Sequence, residues 1–203
     1  KKIVEQNYNH PSIITWVPFN ESWGIKDIQR REKQQKFTEA VYYLTKTIDD
    51  TRPVITNDGW EHTVSDIITL HDYEESGEVL KTRYERKEKF LENEQQYSNT
   101  RYMMADGYQY NGQPILISEF GGIAFATDNK KKWGYGEQVQ DEEQFMKRFN
   151  DIHKAIQDIP YIIGYCYTQL TDVEQEVNGL LDPQRNSKVN IAEVFEINTR
   201  RKN

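Results

Sequence analysis

Residues 9–24 read NHPSIITWVPFNESWG. An apolar, β-branched run, residues 12–17 (SIITWV), is followed within three residues by Asn20-Glu21. A run of this kind between turn signals reads as a buried strand. A carboxylate just beyond such a strand is a poor structural choice, because burying it without a partner is costly. The pattern returns in QPILISEFGG, where residues 114–118 form a second apolar run and Glu119 closes it ahead of Gly121-Gly122.

Working outward, short apolar runs alternate with longer helical patterns. Phe37, Ala40, Val41, Leu44 and Ile48 recur at helical spacing and predict one apolar helix face, which Arg52-Pro53 ends. Residues 54–57 and 66–71 (DIITLH) read as the next two strands. The charged stretch 78–96 reads as a solvated helix and loop rather than a binding tail. Residues 141–158 form a strongly amphipathic helix with Phe145, Phe149, Ile152 and Ile156 on one face. Residues 161–167 (YIIGYCY) read as a fifth strand and 190–198 as a closing helix. This alternation predicts an α/β fold with parallel strands buried on both faces. In such folds the site lies at the C-terminal ends of the strands, where the unusual residues cluster: 20–21, 57–62, 71–73, 119–122 and 168–174.

The chain has 203 residues, short of the roughly 250 of a complete (β/α)8 barrel. It carries 26 Lys+Arg against 33 Asp+Glu, a net charge of −7, which argues against a nucleic-acid partner. No window approaches the ~18 continuous apolar residues of a membrane span. Cys166 is the single cysteine and cannot form an intrachain disulfide. The opening KKIVEQNYNHPS has no signal-like apolar region and reads as starting inside a helix. Location stays open, with the cytoplasm slightly favoured.

Two carboxylates facing one cleft separate their roles, one neutral acid and one ionised base or nucleophile, as glycoside hydrolysis requires. NHPSIITWVPFNESWG resembles the acid/base signature of glycoside hydrolase family 2, the β-galactosidase and β-glucuronidase family, and ILISEFGG resembles its nucleophile segment. The resemblance covers residues 3–198 and implies strands four to eight of a TIM barrel. It therefore implies a single partial (β/α)8 catalytic domain over residues 1–203, truncated on its N-terminal side. It implies a retaining β-glycosidase, β-galactosidase-like, with Glu21 as general acid/base and Glu119 as nucleophile. Asn20 would then hydrogen-bond the sugar 2-hydroxyl, and Tyr73 would hydrogen-bond the nucleophile. The two carboxyls are expected about 5–5.5 Å apart.

Trp60, Trp133 and His71 are further substrate-binding candidates, since aromatic faces at this end of the fold suit sugar stacking. Trp23 is a third loop tryptophan, Trp16 reads as core, and His10 as structural. After the last strand, Tyr167-Thr168-Gln169 stands where the family usually has a Trp, so the sugar stays open among galactoside, glucuronide and mannoside. Asp172, Glu174 and Glu176 fit either loop-stabilising hydrogen bonds or a divalent cation, and the former is preferred. No cofactor is required by this chemistry. Two competing readings remain: an inert carbohydrate-binding fragment, and a metal-dependent barrel hydrolase using His62, His71, Asp72 and a carboxylate. The predicted partners are a β-glycoside and, through open barrel edges, a second copy of the chain.

Overall fold

The computed structural model describes residues 1–93, 96–97, 101–126 and 133–200. Its elements alternate along the chain: α1 (Lys2–Asn7), β1 (Phe19–Asn20), α2 (Glu32–Ile48), β2 (Asn57–Asp58), β3 (Ile68–Asp72), α3 (Gly77–Tyr84), α4 (Lys87–Leu91), β4 (Ile115–Gly121), α5 (Glu142–Gln157), β5 (Ile162–Thr168) and α6 (Ile191–Asn198). Strands β1 and β2 pair in parallel, Phe19 with Asn57 and Asn20 with Asp58. β4 is hydrogen-bonded to β3 on one side and β5 on the other. Among the described residues the strands form these two sheets rather than a closed ring. The chain divides into two compact units, Lys1–His71 with Glu88–Ser118, and Asp72–Lys87 with Glu119–Asn203.

In the first unit, Val4, Trp16, Tyr42 and Val54 form a buried cluster supported by Ile13, Ile48 and Val64. Trp16 donates its indole N–H to Asp49 Oδ2 at 2.8 Å, and Arg52 Nη1 binds the same oxygen at 2.6 Å. Arg52 also donates to the Ile13 and Tyr8 carbonyls, so one guanidinium ties the chain ahead of β1 to the end of α2. The strand expected over residues 12–17 contracts to a single parallel bridge, Trp16 to Val54, with Ile14 and Val17 exposed. Pro18 has no N–H to extend the ladder, and regular pairing resumes only at Phe19. β3 is buried along its whole length.

α2 departs from its expected orientation. It buries Gln35, Thr38, Tyr42 and Thr45, while Phe37, Ala40 and Leu44 are exposed. The polar groups on the buried side are satisfied. Thr38 Oγ1 meets Thr63 Oγ1 at 3.0 Å, and the Gln35 amide reaches the Ile28 carbonyl at 3.0 Å. With those partners available, burying polar residues carries little penalty, and the apolar spacing misidentifies the inner face.

In the second unit, α3 packs on α5. Gly77 allows the approach, because a Cβ there would lie 2.8 Å from the Asp151 carbonyl carbon. The expected face of α5, Phe145, Phe149, Ile152 and Ile156, is fully buried. Asp141 caps α5, accepting from Gln144 N at 2.8 Å. The charged stretch 78–96 is less solvated than expected, since Leu80 and Tyr84 are completely buried. Its residues 94 and 95 lie outside the described residues. β5 exposes Ile163 and Cys166, which fall on opposite faces of the strand, so neither face is covered along its whole length.

Candidate active site

The first unit builds a carboxylate centre around Glu21. Glu21 and Ser22 both have left-handed backbone, φ 51° and 59°, in the turn that follows β1. Non-glycine residues adopt this region only when the surroundings enforce it. Here the buried Asn57 of β2 enforces it. Its Oδ1 accepts from Ser22 N at 3.0 Å, and its amide donates to Ser22 Oγ at 3.1 Å and to the Trp60 carbonyl at 2.7 Å. Ser22 Oγ donates to Glu61 Oε2 at 2.6 Å, and Glu61 is ion-paired to Arg101 at 2.9 Å.

The Glu21 carboxylate leaves this turn partly exposed, and its Oε1 lies 2.8 Å from His71 Nδ1. His71 is fully buried at the end of β3. Its Nε2 lies 3.4 Å from Asp58 Oδ2, while Asp58 Oδ1 accepts from Ser118 Oγ at 2.6 Å. Burial alone would raise the Asp58 carboxyl. The hydrogen bond and charge of His71, with the Ser118 and Thr69 hydroxyls, outweigh it and hold Asp58 below the usual carboxylate range. Trp60 is buried edge-on to the His71 ring at 5.6 Å, with Arg101 over its own ring at 5.0 Å. Asn20 is exposed on β1.

The second unit builds a centre around Glu119. The Tyr73 hydroxyl donates to Glu119 Oε2. Burial, reinforced by that carboxylate, pushes the Tyr73 phenol far above its ordinary value, so it stays a donor. Tyr135 stacks flat on Tyr73 with centroids 3.5 Å apart, and half-exposed Trp133 meets Tyr135 edge-on at 5.9 Å. The loop after β5 supports these rings. Trp133 N donates to the Gln175 carbonyl and Val177 N to the Trp133 carbonyl, both at 2.9 Å. Asp172 is a buried loop anchor: it takes Lys188 Nζ at 2.8 Å and Gly179 N at 2.8 Å. Glu176 accepts from the Asn178 amide at 3.0 Å, and Asn178 Oδ1 accepts from Gln169 at 2.9 Å.

Other sequence candidates have structural partners. His62 Nε2 sits 2.7 Å from the Thr69 carbonyl, and burial lowers its pKa to about 4. Asp72 accepts from Arg83 and, at 2.7 Å, from Tyr84. His62 and Asp72, which the metal-dependent reading would recruit beside His71, are thus engaged in hydrogen bonds and an ion pair. Trp16 is buried, His10 and Trp23 are exposed. Asn57, Asp58, Glu61 and Tyr135 escaped sequence reasoning as individual residues. The first three fall in the 57–62 segment whose composition stood out.

The model of the glycosyl hydrolases family 2 TIM barrel domain matches residues 1–200. The chain belongs to that family. Solved structures share the fold at low identity. A β-galacturonidase of this family from Eisenbergiella tayi, bound to galacturonate, has TM-score 0.66 and 18% identity over 97% of this chain and 34% of that one. A β-glucuronidase from Faecalibacterium prausnitzii has TM-score 0.65 and 14% identity over 97% and 32%. A β-glucuronidase from Ruminococcus gnavus, in complex with an N1-substituted uronic isofagomine, has TM-score 0.65 and 17% identity over 96% and 33%. The chain thus spans about a third of the length of these structures. No curated protein sequence matches it. The family match agrees with the partial (β/α)8 fold expected from the sequence.

Proposed function

We propose that this chain carries the catalytic pair of a retaining β-glycosidase, with Glu119 as nucleophile and Glu21 as general acid/base. The supporting observation is that Glu21 follows β1 and Glu119 lies near the C-terminal end of β4, and each carboxyl meets a buried or stacked partner, His71 for Glu21 and Tyr73 for Glu119. In the first step Glu119 attacks the anomeric carbon, while Glu21 gives its proton to the departing oxygen. In the second, Glu21 takes a proton from water, which attacks the same carbon and frees Glu119. The Tyr73 hydroxyl steadies the carboxylate of Glu119 before attack and after release. Asn20 serves the sugar 2-hydroxyl, and Trp133 offers an aromatic face for stacking. No step calls for a cofactor.

A β-galactoside-like substrate is proposed, with the uronides of the structural relatives as its competitors. A panel of 2-deoxy-2-fluoro β-galactoside, β-glucuronide, β-galacturonide and β-mannoside tests both statements. Covalent labelling at Glu119, seen by peptide mass spectrometry, is the expected result, and the fastest label identifies the sugar. Product released with inverted anomeric configuration, or a label on another residue, would refute the mechanism. Assaying this chain beside the longer parent protein separates activity of the chain alone from an inert sugar-binding role.

A further inference from the structure

Glu21 must present one oxygen to the leaving group, yet both oxygens of a carboxyl can carry the proton. The structure treats the two differently. Oε1 is 2.8 Å from His71 Nδ1, and the opposite ring nitrogen is 3.4 Å from the Asp58 carboxylate. The His71 ring is held in place. A Cβ on Gly59 would lie 2.8 Å from it, and Trp60 closes one edge. Gly59 is itself held through its carbonyl by the Tyr97 hydroxyl. Asp58 is fixed by Ser118. His62, a second histidine near His71 in this unit, is kept neutral near pH 7 by burial. The Glu61–Arg101 pair neutralises itself beside Ser22.

Resting on the assignment of Glu21 as acid/base, we propose that His71 and Asp58 are positioning residues that divide the labour of the Glu21 oxygens. His71, protonated on both nitrogens, donates Nδ1–H to Oε1 and Nε2–H to Asp58. Oε1 is thereby committed as an acceptor, and the transferable proton resides on Oε2. When Glu21 gives that proton to the leaving group, the imidazolium offsets the new carboxylate charge without itself losing a proton. When Glu21 then takes a proton from water, Oε2 receives it. The His71 ring donates in both states and need not rotate between the two half-reactions. His71 is thus assigned here to orienting the acid/base rather than to contacting the sugar.

The test uses the full chain and an aryl β-glycoside it hydrolyses, with pH profiles of kcat/KM for His71→Ala and His71→Asn. Losing the charged donor makes Glu21 a weaker acid, so the alkaline limb moves upward by about one pH unit in both variants. The Asn amide stands near the position of Nδ1, so His71→Asn recovers kcat about tenfold relative to His71→Ala while its alkaline limb stays displaced. A merely structural role would restore or lose both readouts together. If these variants do not fold, the nitrogen resonances of the wild-type ring decide. Both nitrogens of His71 carry protons at pH 6, and Asp58→Asn leaves one. A wild-type ring protonated at one nitrogen, or an unmoved alkaline limb in an active His71→Asn, overturns the inference alone. A chain that neither hydrolyses nor is labelled by any glycoside overturns the proposed function, and this role with it.

Discussion

Replacing Asn57 by alanine isolates the device that holds the Glu21 turn. Asn57 is fully buried and makes three hydrogen bonds, at 3.0, 3.1 and 2.7 Å, to Ser22 N, Ser22 Oγ and the Trp60 carbonyl. Each is worth about 1 kcal/mol net, and the partners stay buried when the amide is removed, so the substitution costs about 3 kcal/mol or somewhat more. For a chain of this size that lowers the thermal midpoint by about 6–12 °C. Urea unfolding followed by tryptophan fluorescence measures the same loss. The second consequence is functional. Glu21 and Ser22 hold left-handed backbone with φ 51° and 59°, and without Asn57 that turn relaxes. A displacement of the acid/base by 1 Å costs about 100-fold in rate. The variant should therefore lose both stability and kcat/KM. A stability loss under about 1 kcal/mol, with unchanged turnover, would refute the view that Asn57 enforces the turn.

Three further outcomes follow from other contacts. Tyr73→Phe removes the donor to Glu119 while preserving the stack on Tyr135, and kcat should fall about 10- to 100-fold with an unchanged melting temperature; equal turnover would sink the role given to the hydroxyl. Lys188→Met strands the Asp172 carboxylate in a buried site and should cost about 3–5 kcal/mol, most of it recovered in Asp172→Asn/Lys188→Met; an additive double variant would contradict this. Burial depresses His62 and His153 from 6.5 to about 4. The unfolded chain therefore binds more protons between those values. Stability should be complete above pH 6.5, fall as pH drops toward 4, and level off below, by on the order of 3 kcal/mol per histidine. A flat unfolding free energy between pH 7 and 4 would exclude it.

The strand ends were the legible part of this sequence. Runs such as residues 66–71 and 114–118 advertise burial through β-branching, and a glutamate just beyond such a run stands out because water is the cheaper place for it. α5 was equally plain, since its aromatic residues fall on one stripe and that stripe is inward. α2 was not. Its inner face is written in Gln35, Thr38 and Thr45, whose burial depends on partners such as Thr63 and the Ile28 carbonyl that lie elsewhere in the chain. The same limit hid the support of the site. Asn57 and Asp58 look like ordinary turn residues until Ser22, His71 and Ser118 are brought to them from up to 60 positions away. Periodicity reports a residue's relation to solvent, and these residues are defined by their relation to each other.

Gly122 has a left-handed backbone, φ 57°, and the space a Cβ would need is occupied by the rings of Tyr135 and Tyr73. Any side chain there must push the aromatic stack away from the β4 terminus, and Tyr73 carries its hydroxyl with it. In a saturation library scored for hydrolysis, position 122 should thus behave like a catalytic position although glycine has no reactive atom. Folding would survive many of those replacements, so abundance and activity should part company at this residue. Natural drift in the aromatic loop is bounded from beneath by an absent methyl group.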